Sequence, residues 1–380
     1  MKGPLHGVRV VVLAGMGPVP FTSMLLADLG ADVLRIARPP NRQGRPLEQT
    51  AALSHEHDIV NRGVRSIAID LKTPEGIEDV ITLCQAADVF IEGYRPGVVE
   101  RLGLGPQVLL ARCPALVVTR LTGYGQDGPL ARTAGHDINY VAQSGALHAF
   151  GGEDSAPRPP VNTLGDYAGG GLVAALGVVS AVLEARSSGR GQVIDAAMVD
   201  GVALLTAKLQ GLRAAGLFSD EPGTNYLDGA APFYGTYRCA DGRYVAIGAL
   251  ETDFYAEFVA RLGVDLSDWP RQNDRSQWPR LRELIGSAIA TRSMAEWADI
   301  FAGTDACVTP VLTFDEAAAH PHNEVRVLYS DVDGTLHPTP APRFSRTGTR
   351  PPATPTPGTE LVVETVLREW SGTPVASGST

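Results

Sequence analysis

Short β-branched runs alternate with helical periodicity over the first 200 residues. Val8 to Leu13 is an unbroken apolar run, followed by a Gly/Pro turn at Gly15 to Pro20 and a helical pattern around Met24, Leu25 and Leu29. The unit then repeats. Asp32 to Ile36 predicts a strand, Thr73 with Pro74 and Glu75 predicts the capped start of a helix through Cys84, and Asp88 to Ile91 and Val117 to Leu121 predict further strands. Apolar strands separated by helices predict a parallel, doubly wound α/β sheet. A small-residue helix is expected over Gly169 to Leu183, too polar at its flanks and too short to cross a membrane.

Past Asp200 the texture changes. Phe233 to Cys239, the Asp241-Gly242 turn and Tyr244 to Ile247 predict a β-hairpin, and helical segments follow at 252–262, 279–291 and 294–302. The organisation expected is a large α/β domain over 1–200, a linker helix over 201–224 and a small α+β domain over 225–325. The C-terminal return, 326–380, is proline-rich from Pro338 to Gly358. It ends in an amphipathic segment, Glu360 to Trp370, expected to wrap back over the first domain.

Composition narrows the class. At roughly 150 residues per domain, 380 residues allow two domains and a real core. With 42 glycines and 28 prolines, loops should carry much of any site. The net charge of −10 argues against nucleic acid or an anionic membrane as partner, so an anionic ligand must find local positive charge. Lys2, Lys72 and Lys208 are the only lysines; the abundance of arginine suits planar recognition of phosphate, although genome composition explains it equally well. Cys84, Cys113, Cys239 and Cys307 show no CxxC spacing, which suggests neither zinc nor a disulfide framework but reduced, mostly buried thiols. The chain enters its first apolar run without the length of a signal segment, so a cytoplasmic enzyme is the expectation.

Three segments carry the candidate chemistry: Gly135-His136-Asp137-Ile138-Asn139-Tyr140, Gly165-Asp166-Tyr167-Ala168-Gly169-Gly170-Gly171, and Gly248-Ala249-Leu250-Glu251. On spacing alone, Asp166 reads equally well as a helix N-cap and His136 as a hydrogen-bonded structural histidine.

Together these segments resemble the family III CoA-transferase superfamily, and specifically its 2-methylacyl-CoA racemase branch. The likeness continues through Ala27-Asp28-Leu29-Gly30-Ala31-Asp32-Val33, Glu92-Gly93-Tyr94-Arg95-Pro96-Gly97, Gly123-Tyr124-Gly125-Gln126, Gly191 to Val199 and Thr304 to Leu312. It implies a Rossmann-like large domain with a parallel sheet, a smaller α+β domain inserted before the tail, and an interlocked homodimer with the active site between unlike domains of the two chains. It implies no cofactor beyond the CoA of the substrate. No nicotinamide is expected, because Ala14-Gly15-Met16-Gly17-Pro18 lacks the dinucleotide fingerprint.

Epimerisation next to a thioester removes a weakly acidic proton from one face and returns it to the other, which requires two acid/base groups. The resemblance assigns these to His136 and Asp166, with His136 taking the proton from the S epimer. Glu251 would orient His136, and the Asp137 amide would hold the enolate oxygen. In the transferase branch Asp137 is instead a nucleophile that forms an acyl anhydride. CoA would meet Arg38, Ile69, Asp70, Leu71, Lys72, Gly93, Tyr94, Arg95, Arg101 and the loop containing Gly135, Ile138, Asn139 and Tyr140. Departures from the pattern are Val64 where a basic residue is common, Thr252 and Asp253 after Glu251, only five methionines, and Tyr226 where methionine is usual. Three readings follow: a racemase, a CoA-transferase using Asp137, or a catalytically weak acyl-CoA binder.

Overall fold

The computed structural model describes residues 2–39, 55–152, 155–354 and 361–372. Residues 355–360, where the proline-rich stretch ends and Glu360 was expected to start the amphipathic segment, lie outside the described residues. The chain divides into one unit formed by Met1–Ser144, Pro160–Leu205 and Glu324–Thr380, and a second formed by Gly145–Pro159 and Thr206–Asn323.

The first unit runs β1 (Arg9–Leu13), α1 (Pro18–Asp28), β2 (Asp32–Ala37), β3 (Arg65–Ala68), α2 (Pro74–Gln85), β4 (Val89–Glu92), α3 (Val98–Arg101), α4 (Pro106–Arg112), β5 (Val117–Thr122) and α5 (Asp137–Gln143). A π-wound stretch, Thr163–Leu172, then leads into α6 (Val173–Ser188), β6 (Val193–Ala197) and α7 (Met198–Leu205). The six strands are all parallel in the order β3-β2-β1-β4-β5-β6, the order of a Rossmann sheet, with the switch point between β1 and β4.

Strand alternation builds the two cores. Val10 and Val12 of β1 face Leu26 of α1 and Val178 of α6, whereas Val11 and Leu13 join the cluster holding Leu83 of α2 and Leu109 of α4. Each such side chain contributes about 1.5–3 kcal/mol on burial. Thr73 caps α2 as its sequence predicts, its hydroxyl accepting from the Gly76 N–H at 3.1 Å.

β3 and β6, which sequence periodicity did not predict, are the sheet edges. Arg65 and Ser66 in β3 and an exposed Val193 in β6 dilute the apolar signal. The helix expected over 169–183 also needs correction. It runs continuously over Thr163–Ser188, 26 residues, and among the described residues it is long and apolar enough to cross a membrane by length and composition. Its glycines pack it into the unit: a Cβ on Gly201 of α7 would stand 1.8 Å from the Gly169 carbonyl oxygen. Leu172, Leu176, Val179 and Leu183 remain as an exposed stripe on its other face.

The second unit holds α8 (Ala207–Ala214), the hairpin β7 (Tyr234–Arg238) and β8 (Tyr244–Gly248), α9 (Thr252–Arg261), α10 (Trp278–Ile289), α11 (Met294–Phe301), β9 (Val308–Pro310) and α12 (Phe314–Ala318). Its antiparallel sheet, β7-β8-β9, packs around Phe233, Phe258, Trp278 and Trp297. In place of one linker helix over 201–224 there are α7 and α8, interrupted at Thr206, followed by irregular chain.

After α13 (Pro321–Val325), the chain forms a hairpin of β10 (Tyr329–Val332) and β11 (Thr335–Pro338) on an Asp333-Gly334 turn, both residues at positive φ. The chain ends in α14 (Val363–Trp370), which packs Val366 and Trp370 into the α2 side of the sheet. The Trp370 indole N–H donates to Asp32 at 2.9 Å, and Arg65 bridges Asp32 and Glu369.

Candidate active site

Beyond the carboxyl ends of β1, β4 and β5, beside the switch point, lies a cavity of about 510 Å³. Met16 and Gly17 line it from the loop after β1, Val19 from the first turn of α1, Gly93, Tyr94 and Arg95 from the loop after β4, and Gly123 and Tyr124 from the loop after β5. Gly135, His136, Tyr140 and Asp166 complete the wall.

His136 is the N-cap residue of α5, in extended conformation, with its backbone N–H donating to Asn139 Oδ1 at 3.0 Å. Its side chain is exposed toward the cavity. Behind it, the Tyr140 hydroxyl donates to the Gly135 carbonyl, and the Tyr140 ring meets Tyr124 edge-on at 5.0 Å. Glycine is required on both sides of that ring: a Cβ at Gly123 or Gly135 would fall 2.1 or 2.7 Å from Tyr140 Cε1. Burial pushes the Tyr140 phenol up to about 12, so the ring stays neutral near pH 7.

Asp166 sits inside the first turn of the π-wound stretch, not at its N-cap, which is Asn162. The N-cap role offered for Asp166 by its sequence is therefore not the one it has. π-turns often mark functional positions. Burial raises the Asp166 carboxyl above the ordinary aspartate range, with nearby Asp137 adding to the rise and Asn162 and His136 opposing it. Asn162 Nδ2 donates to Asp166 Oδ2 across a long 3.4 Å.

Asp137 does not line the cavity. Its side chain is buried, with the residue 6% exposed, and its Oδ1 accepts from the Asp166 backbone N–H at 2.6 Å. Its other oxygen has no hydrogen-bond partner.

The loop after β4 rests on an ionic cluster. Glu92, fully buried, accepts from the Tyr94 N–H at 2.7 Å and from Arg120 Nε at 2.9 Å, and Arg120 reaches Glu100 at 2.9 Å. Neither Glu92 nor Arg120 was singled out from the sequence. The available signal was a charged residue at the end of β4 and another within the buried strand β5.

The remaining candidates lie elsewhere. Arg38 follows β2 and is exposed. Ile69 is buried after β3, Leu71 is half-buried, and Asp70 and Lys72 are exposed, with Asp70 Oδ1 accepting from the Lys72 N–H at 3.0 Å. Arg101 ends α3 and is exposed, as are Ile138 and Asn139 on α5. None of these lines the cavity. Glu251 belongs to the second unit, exposed at the N-cap position of α9, where its side chain makes no capping bond. Tyr226, in the same unit, packs edge-on against Trp278 at 5.1 Å beneath the Arg275 guanidinium. Val64 is buried in the large unit's core, which accounts for an apolar residue there.

The fold and its cavity define a doubly wound α/β protein with an open cavity at the switch point of its sheet. More narrowly, the chain belongs to CoA-transferase family III, whose sequence model matches residues 5–360. It is 45% identical over 367 residues to the alpha-methylacyl-CoA racemase of Mus musculus and 41% identical to that of Homo sapiens, covering 96% of this chain and 93% of each relative. Among solved structures, a CAIB/BAIF family protein from Brucella suis superposes with a TM-score of 0.81 at 25% identity, covering 97% of this chain and all of that one.

Proposed function

We propose that this chain is an isomerase, an alpha-methylacyl-CoA racemase that epimerises 2-methylacyl-CoA thioesters by two-base proton transfer at the α-carbon. The observation that carries the mechanism is the placement of His136 and Asp166, from separate elements, on the wall of one cavity, with the Asp166 carboxyl raised toward its neutral form. Neutral His136 takes the α-proton of the S epimer while protonated Asp166 supplies the other face; the reverse reaction starts from imidazolium and carboxylate. As the first residue of α5, Asp137 has an amide with no acceptor one helical turn back, suited to the developing enolate oxygen. No cofactor is required beyond the CoA moiety of the substrate.

On this reading Gly93, Tyr94 and Arg95 hold CoA at the cavity. Arg38, the Ile69-Asp70-Leu71-Lys72 segment and Arg101 meet its phosphates from neighbouring strand and helix ends. Two copies form an interlocked homodimer that brings Glu251 to His136. The exposed apolar stripe of Leu172, Leu176, Val179 and Leu183 supports a covering partner.

The transferase reading needs Asp137 to attack the thioester. Its carboxylate is buried, already accepts the Asp166 N–H and lies off the cavity wall, which favours the racemase. A single epimer of a 2-methylacyl-CoA in D₂O decides. The racemase incorporates α-deuterium without any acceptor acid. Dependence on an acceptor, with an anhydride trapped by hydroxylamine, would establish the transferase, and neither outcome would leave an acyl-CoA binder.

A further inference from the structure

The two acid/base groups are joined through a side chain that itself stays off the cavity wall. Asp137 follows His136 directly, and its Oδ1 accepts the Asp166 N–H at 2.6 Å from 29 residues away. Close approach is built in, since a Cβ on Gly165 would stand 2.5 Å from that same oxygen. Asp137 Oδ2 is buried with no hydrogen-bond partner, and no salt bridge between Asp137 and an arginine or lysine occurs among the described residues.

Resting on the racemase reading, we propose that the Asp137 carboxylate is a positioning residue: it clamps the Asp166 amide and, through its uncompensated negative charge, governs the protonation state of Asp166 between turnovers. The clamp fixes the turn of backbone that aims Asp166 into the cavity. The charge makes a second carboxylate next to it costly, so Asp166 returns to its acid form more readily than an isolated aspartate. The groups that face Asp166 are His136 and Asp137 from the start of α5, Tyr140 one turn further on, and Asn162 from its own helix. His136 opposes the effect, Asn162 opposes it weakly across a long bond, and Tyr140 stays neutral.

Both active protonation arrangements carry one proton on the His136–Asp166 pair, so kcat/KM is bell-shaped in pH and its acid limb reports chiefly Asp166. Asp137→Asn keeps an oxygen to accept the Asp166 N–H but removes the charge. The acid limb should move to lower pH, raising the ratio of the rate at pH 5 to that at pH 7, with kcat at the optimum reduced by no more than about tenfold. Asp137→Ala removes the clamp as well and should add a loss in kcat of about 10- to 100-fold with KM little changed.

A second readout does not depend on turnover. The ¹³C-carboxyl signal of Asp166, assigned by its absence in Asp166→Asn, should titrate at lower pH in Asp137→Asn than in the parent. Should Asp137→Asn fail to fold, Gly165→Ala displaces the same carboxylate and should shift the signal in the same direction. An Asp166 titration and an acid limb that both stay in place would overturn the proposal. A parent enzyme that titrates as described yet exchanges no α-hydrogen would sink the racemase reading and leave the clamp standing.

Discussion

The carboxyl edge of the sheet has two contrasting stretches. Beyond β4 and β5 the chain is tightly determined: Tyr140 is wedged between Gly123 and Gly135, Asp166 is tied to Asp137, and the Tyr94 amide is held by the buried Glu92–Arg120 pair. Beyond β2 and β3, Arg38, Asp70 and Lys72 stand exposed, and the Lys72 N–H donates to Asp70 within a local turn. On the proposed function, the difference follows from what each stretch would do. Groups that meet a particular hydrogen at a particular angle need rigid support, whereas groups that neutralise phosphate need only charge and reach.

The most damaging changes should fall on the determined stretch. His136→Ala and Asp166→Ala should each lower α-hydrogen exchange by about 10²- to 10⁴-fold with an unaltered melting temperature. Near-normal exchange in either would erase the contrast. Next in size, Arg120→Ala strands the buried Glu92 and should cost about 3–5 kcal/mol of stability, measured by denaturant unfolding. A cost below about 1 kcal/mol would mean that the loop does not rest on that pair.

Gly123→Ala should follow. Its new methyl meets the Tyr140 ring, and repacking should cost about 1–3 kcal/mol together with a fall in kcat. The mildest effects belong to the exposed stretch. Arg38→Ala and Lys72→Ala should raise KM about twofold to fivefold, with kcat preserved and the difference shrinking as salt is added. A kcat loss as large as that of His136→Ala would show the two stretches to be one machine.

Legibility in the sequence divides along the same physical lines. β1 and β4 read as apolar runs, and β2 and β5 keep enough buried apolar residues around Arg35, Thr119 and Arg120 to read as strands, whereas the edge strands β3 and β6 were silent. The Asp241-Gly242 hairpin was plain because five-residue strands rich in aromatic and β-branched residues flank it. The Asp333-Gly334 hairpin has the same turn chemistry but strands of only four residues, Tyr329–Val332 and Thr335–Pro338. At the site, family resemblance singled out His136 and Asp166, which the fold places on one cavity wall. The reasons for Gly123 and Gly165 were not legible, because each is defined by a side chain well separated in sequence, Tyr140 and Asp137. No local pattern announces that a tyrosine at 140 will fill the space beside residue 123.

The docking of α14 bears on how the protein is made. Trp370 completes a surface begun at Asp32, a contact spanning 338 positions, and the second unit is encoded between them. During synthesis, the ribosome therefore releases most of the Rossmann sheet long before the helix that seals the α2 side of it. The nascent chain carries an unsealed apolar patch through translation of more than half its length, and contacts this distant in sequence form slowly. Removing the last turn of α14 should therefore affect the yield of soluble protein more than the chemistry of any molecule that does fold.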